Sequence, residues 1–345
     1  MIPPLVEDTM HYRSIYDLNA TIARHASRLP ADIDLVVGIP RSGLLAANLL
    51  SLLTNLPLAD LDGYLAGRLT SSGKTKSQAK LNVTMDSIRR VLILDDSINV
   101  GSAMQEARAR IAAAGFGHEC IYAAVYGQRP EHEGCDFIFE VLPQPRIFQW
   151  NLMHHNFLAR ACIDIDGVLC QDPTEAENDD GERYVEFLLN AAPLHRPTKP
   201  LGTLVTSRLE KYRPQTERWL ADQGIAYEKL VMLDLPSAEE RRRQGAHGSF
   251  KAEYYRRSDA ILFIESELPQ ARKIAQMSKK PVLCLETHTL FDRSNAFDEG
   301  LQVARNLQAA PYRPPLARQV KQALKASLGA SQYEKLKRFR ARLQF

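Results

Sequence analysis

The sequence predicts an α/β chain built on two parallel sheets and followed by a helical tail. Three observations carry this. Apolar runs of strand length alternate with stretches of helical periodicity. Two of those runs end in closely spaced acids with a glycine soon after, at Asp95-Asp96 and at Asp164-Ile165-Asp166-Gly167. The alternation restarts near Phe157, so two units are expected, at residues 1–157 and 158–300, with a basic helical tail over 301–345. A length of 345 residues is enough for two cores.

Composition narrows the function classes. Apolar residues make up 45% and charged residues 25%, an ordinary globular balance. A net charge of +3 does not call for nucleic acid, and none is expected as a partner. No apolar run is long enough to span a bilayer, and the opening MIPPLVEDTMHYRS lacks a basic-then-apolar leader pattern. Cys120, Cys135, Cys162, Cys170 and Cys284 show no paired metal spacing. A reduced, cytoplasmic protein is expected, with peripheral contact at the inner membrane face as an extension.

In the first unit, Ser14 to Arg28 carries Ile15, Leu18, Ile22 and Ala26 at helical spacing. Ile33–Ile39 reads as a strand, and Leu44 to Leu53 as a helix. The loop between them holds Pro40, Arg41, Ser42 and Gly43, where backbone N–H groups and a permanent cation can meet a diphosphate. Taken alone, a structural turn with a surface Arg explains it equally well. The segment with Arg68, Lys74 and Lys76 is polar and without period, and reads as a surface loop. Val91–Leu94 reads as a buried strand ending at Asp95-Asp96. Ser97, Asn99, Val100, Gly101 and Ser102 follow, with a helix from Ala103. Cys120–Tyr126 and Phe137–Leu142 read as further strands, and Trp150 is a candidate to stack on a ligand.

These two loops, in this order, resemble the pyrophosphate loop and the phosphoribosyl pyrophosphate (PRPP) signature of type I phosphoribosyltransferases. The resemblance implies PRPP binding by Arg41, Ser42, Gly43, Asp95, Asp96, Ser97, Asn99, Val100, Gly101 and Ser102. It also implies a loop carrying Arg68, Lys74 and Lys76 that closes over the diphosphate. Asn99 stands where many relatives carry an acid or Thr, and an amide cannot serve as acid or base toward a purine.

In the second unit, Ala161 to Leu169 reads as a strand ending in Asp164 and Asp166, with Gly167 allowing a tight turn. Leu201–Val205 is a strand ending in Thr206-Ser207-Arg208, Lys251 opens a helical stretch, and Ala260–Ile264 is a strand ending in Glu265-Ser266-Glu267. Tyr184–Asn190 and Arg213–Gln223 read as helices and Lys229–Leu233 as a strand, which leaves no room for a large cap.

This ordered set is similar to the haloacid dehalogenase superfamily of phosphohydrolases. The likeness implies Asp164 as nucleophile, Asp166 as general acid/base, and Thr206 and Lys251 positioning the phosphoryl group. It implies Mg²⁺ held by Asp164, the Asp166 carbonyl and Glu265, with Glu267 as the rival to Glu265.

Beyond Pro311, Leu316–Leu328 and Ser331–Phe345 read as helices rich in Lys and Arg. A solvated face is the plain reading; docking to an anionic membrane or a glycosyltransferase is the sharper one. The two likenesses together resemble dual-domain ribofuranosyltransferases of bacterial polysaccharide synthesis. That implies PRPP and a glycan or other small acceptor as substrates, with pyrophosphate released and the 5-phosphate then hydrolysed. Two alternatives stay open: a nucleobase salvage enzyme with a coupled phosphatase, and a PRPP-sensing domain fused to an active phosphatase.

Overall fold

The computed structural model describes residues 10–70, 84–244 and 246–292. Lys74, Lys76 and the basic tail lie outside them. The chain is mixed α/β with two parallel sheets, and the described residues all fall within one compact unit. The strands are β1 (His11–Arg13), β2 (Leu35–Gly38), β3 (Leu58–Asp60), β4 (Arg90–Ile98), β5 (Glu119–Gly127), β6 (Phe137–Val141), β7 (Arg146–Phe148), β8 (Ala161–Ile163), β9 (Leu201–Leu209), β10 (Tyr227–Leu233), β11 (Leu262–Glu265), β12 (Val282–Cys284) and β13 (Thr289–Phe291). The helices are α1 (Ile15–His25), α2 (Ser42–Thr54), α3 (Leu61–Leu65), α4 (Ser102–Ala114), α5 (Glu182–Asn190), α6 (Arg213–Asp222), α7 (Ala238–Gln244), α8 (Ala246–Arg257) and α9 (Leu268–Ser278).

The first sheet has the order β3-β2-β4-β5-β6, all parallel. Its central strands are apolar on both faces because α1 and α2 cover one side and α3 and α4 the other, giving two core clusters. The second sheet has the order β10-β9-β8-β11-β12-β13, with only β13 antiparallel to its neighbour. In each sheet the strand order reverses once, between β2 and β4 and between β8 and β11. Ligands of open α/β sheets sit in the crevice at such a reversal, outside the carboxyl ends of the strands.

A short parallel ribbon, β1 with β7, joins the two halves. Met10, Tyr12, Ile147, Leu152 and Met153 all pack into the core of the second sheet, so the hydrophobic core runs across position 157 without a break.

Several elements differ in extent from their sequence expectation. β4 runs on through Asp95 and Asp96 to Ile98, because β5 keeps pairing with it and Ile98 is a buried apolar anchor. β9 likewise continues through Thr206, Ser207 and Arg208 to a buried Leu209. β8 stops at Ile163, so Asp164 already lies beyond the strand. Lys251 sits inside α8, not at its start. Gly248 weakens the helical signal of that first turn.

Candidate functional site

The first site forms where β2 and β4 deliver their ends side by side. The chain leaves β2, passes a cis Pro40–Arg41 peptide and enters α2 at Ser42. A Cβ on Gly43 would stand 2.8 Å from Asp95 Oδ1 and 2.8 Å from the Leu94 carbonyl, so only glycine lets the first turn of α2 lie against β4. The Arg41–Ser42–Gly43 loop and the 95–102 strand end are thereby brought together. Ser97 is half-buried, Gly101 is buried ahead of α4, and Asn99, Val100 and Ser102 are exposed. Arg41 is exposed and donates from Nη2 to Asn151 Oδ1 at 3.4 Å. Arg68 is exposed just beyond α3.

The acid pair is not open to solvent. Asp95 is 9% and Asp96 5% exposed. The Trp150 indole Nε1 donates to Asp96 Oδ2 at 2.7 Å. The Trp150 ring stacks on Phe148 at 4.8 Å, which engages one face that the sequence reading left free for a ligand. Asp95 Oδ1 accepts from the Asp96 N–H at 2.8 Å. Burial, with the Asp96 carboxylate adding to it, pushes the Asp95 carboxyl up to about 8. Arg146, which carried no sequence signal, is buried beside them and donates to the Ile98 and Leu142 carbonyls at 2.8 and 3.0 Å. Burial lowers its pKa and the Asp96 charge opposes that.

The second site forms at the ends of β8 and β11. Lys251 Nζ donates to Asp164 Oδ2 at 2.6 Å, to Glu265 Oε2 at 2.8 Å and to Gln270 Oε1 at 2.9 Å. Asp164 Oδ1 accepts from the Ile165 N–H at 2.9 Å, and Glu265 Oε1 from the Ser266 N–H at 3.0 Å. Burial raises the Asp164 pKa well above its ordinary value; Lys251 opposes that, and Glu265 and Asp166 add to it. Burial works against the Lys251 charge, but the two carboxylates outweigh it and keep the ammonium protonated. Asp166 faces Arg208, whose Nη2 donates to it at 2.6 Å. Burial opposes ionisation there too, yet the guanidinium wins and holds the Asp166 carboxyl below its usual range. Gly167 has φ 71°, and a Cβ there would run into the Ser266 side chain, so glycine is required at this turn.

Thr206 does not line this pocket. It is fully buried and its Oγ1 accepts from the Arg208 N–H at 3.2 Å. The next residue, Ser207, lines a pocket of about 410 Å³ together with Asp164, Asp166, Lys251 and Arg241. The Arg208 partner and Arg241 come from positions that sequence reasoning passed over. The only signal for Arg208 was its place directly after Thr206-Ser207.

Among the described residues no group of three or more His, Cys, Asp or Glu side chains is arranged to hold a metal ion. In kind, however, the donors fit Mg²⁺: they are carboxylate and carbonyl oxygens. Asp164 and Glu265 share the single ammonium of Lys251, and Asp172 is pushed up to about 6 by burial and by the carboxylates of Asp166, Glu267 and Glu265. That unbalanced negative charge is what a divalent cation neutralises.

None of residues 41–43 or 95–102 lines the cleft of about 670 Å³ that Trp150 borders. Its lining includes Gln149, Trp150 and Met153 together with Asp172, Ser266 and Glu267. The last three also line the Asp164 pocket. No helix among the described residues is long and apolar enough to cross a membrane.

No protein-family model matches the chain. It is 32% identical over 138 residues to the amidophosphoribosyltransferase of Synechococcus elongatus, over 34% of this chain and 28% of that protein. The chain thus spans little more than a quarter of the length of that curated relative. Its N-terminal portion has a phosphoribosyltransferase-type fold. Among solved structures, the xanthine-guanine-hypoxanthine phosphoribosyltransferase of Helicobacter pylori overlaps 42% of this chain and 95% of its own, at 12% identity and a TM-score of 0.28. The purine phosphoribosyltransferase of Pyrococcus horikoshii overlaps 41% of this chain and 93% of its own, at 19% identity and a TM-score of 0.29.

Proposed function

We propose that the chain transfers a 5-phosphoribosyl group from PRPP to an acceptor at the first site, releasing pyrophosphate, and removes the 5-phosphate at the second. The observation that carries this reading is the position of Trp150. It donates to Asp96 and lines the same cleft as Asp172, Ser266 and Glu267, which also line the Asp164 pocket. With both sites on one chain, a product of the first would meet the second at high effective concentration.

At the first site, the N-termini of α2 and α4 and Arg41 supply donors for phosphate groups. Asp95 and Asp96 supply acceptors for ribose hydroxyls once Trp150 swings clear. At the second site, Asp164 is the nucleophile, aimed and kept in place by Lys251. Attack on phosphorus breaks the ester bond and leaves an aspartyl phosphate. Asp166 passes a proton to the leaving oxygen as the ester bond breaks, and regains one from the water that hydrolyses the aspartyl phosphate. Asp164, the Asp166 carbonyl and Glu265 or Glu267 would hold Mg²⁺, which would offset negative charge between carboxylate and phosphate.

A glycan is the acceptor we favour, because the second pocket carries no large cap among the described residues and Asn99 is exposed where a purine site needs an acid or base. The basic tail would then serve to dock at an anionic membrane surface or a glycosyltransferase. One observation favours a second reading: both acids are buried and Trp150 occupies Asp96, as suits a domain that senses PRPP without turning it over. The deciding experiment incubates the Asp164→Asn variant with PRPP, Mg²⁺ and a panel of short glycans and nucleobases, followed by mass spectrometry. The two-step reading expects a phosphoribosylated acceptor to accumulate in the variant and a plain ribosylated one in the wild type. PRPP left intact with every acceptor would instead favour the sensor.

A further inference from the structure

Counting donors around the second pocket separates its three buried cations. Lys251 commits all three of its N–H groups to Asp164, Glu265 and Gln270. Arg208 is spent on Asp166 through Nε and Nη2, and its side chain is 0% exposed. Arg241 is different. It is 6% exposed and reaches the pocket wall from α7. It donates from Nη1 to the Ser207 carbonyl at 3.0 Å and from Nη2 to Asn178 Oδ1 at 3.4 Å. Its Nε has no partner, and neither has the buried Oγ of Ser207.

A guanidinium carries five N–H donors, and a buried polar group without a partner costs stability. Here a buried cation with spare donors and a buried hydroxyl without a bond line the same pocket as Asp164. An oxyanion in that pocket, carrying several acceptor oxygens, would satisfy both. Lys251 could reach such an oxyanion only by giving up a bond that holds Asp164 or Glu265.

We propose that Arg241, with Ser207, is the phosphoryl-oxygen-binding pair of the second site, that its ligand is a phosphate monoester dianion, and that Lys251 acts as a positioning residue for Asp164. This rests on the phosphatase reading above. It reassigns phosphoryl recognition from Thr206 and Lys251 to residues on the pocket wall.

The test uses the full chain with p-nitrophenyl phosphate and Mg²⁺, and inorganic phosphate as competitive inhibitor. Arg241→Gln is expected to raise both KM and the phosphate inhibition constant about tenfold or more, with a smaller change in kcat, as loss of a charged hydrogen bond predicts. Arg241→Lys is expected to recover part of that loss, which a purely structural tie to Ser207 and Asn178 would not produce. Ser207→Ala, which removes one oxygen, is expected to raise both constants several-fold and decides the matter if Arg241→Gln fails to fold. A folded Arg241→Gln, or Ser207→Ala in its place, with a phosphate inhibition constant within roughly twofold of wild type overturns the assignment. A wild type that neither hydrolyses the ester nor binds phosphate overturns the phosphatase reading itself, and the assignment with it.

Discussion

Asp95 illustrates how a buried residue reports its surroundings. Its carboxyl is pushed up to about 8, while an unfolded one titrates near 3.8. Between those values the folded state holds a proton that the unfolded state has lost, so this group's contribution to stability falls as pH rises through the window. Asp95→Asn keeps an acceptor for the Asp96 N–H and cannot ionise. Its denaturation midpoint is expected to gain on wild type steadily from about pH 4 to about pH 8 and then to level off. A constant difference across that range would contradict the burial of the acid pair. Trp150 offers a second check. Trp150→Phe loses a hydrogen bond to a carboxylate, expected to cost about 1–2 kcal/mol at a half-exposed position. Any ligand that engages Asp96 must rearrange the indole, so in a Trp219→Phe background PRPP is expected to change the remaining fluorescence. No change at saturating PRPP would count against the first site. At Asp166, removing the ion pair with Arg208→Met leaves a carboxylate facing an apolar side chain, at a cost of about 3–5 kcal/mol. Where the variant folds, the limb of the pH–rate profile that reports Asp166 is expected to move to higher pH, because the charge that held its pKa down is gone.

At the scale of elements, α2 depends on one missing atom. Gly43→Ala would place a Cβ 2.8 Å from the Leu94 carbonyl, and backbone cannot move aside cheaply. The expected cost is about 1–3 kcal/mol in urea unfolding, with the 40–43 loop pushed away from Asp95. Gly117→Ala, whose Cβ would meet nothing within 4 Å, is the control and is expected to change stability by under about 1 kcal/mol. Elements were the best-read level of the sequence. The strands leading to Asp95, Asp164 and Glu265 were legible because continuous apolar runs bounded by acids and glycine are local signals. Their ends were not, since a strand stops where its neighbour stops pairing. The three-residue strands β1, β3, β7, β12 and β13 gave no period to detect.

For the whole molecule, the ribbon and the 149–154 segment tie both halves to one core. Met10, Tyr12, Ile147, Leu152 and Met153 precede position 157 yet pack among Ile163, Leu204 and Leu283. Unfolding is therefore expected to be a single transition. Trp150 reports on the first half and Trp219, buried in the second core, on the other. Single-tryptophan variants, Trp219→Phe and Trp150→Phe, are expected to give coincident urea transitions; separate midpoints would mean two independent domains.

The sequence by itself determined the chemistry available at each strand end: the arginine-glycine loop, the two acid pairs, and the lysine and glutamates that follow. Those features are written in neighbouring residues, where side-chain type and spacing suffice. The tertiary structure alone decided which donor each acid receives. Trp150 on Asp96, Arg208 on Asp166 and Arg241 beside Ser207 come from positions far apart in the chain, and only the folding of each half brings them within hydrogen-bond distance. Because burial raises the energy of every unpaired charge, those distant partners, more than the acids themselves, set the protonation state and reach of each pocket.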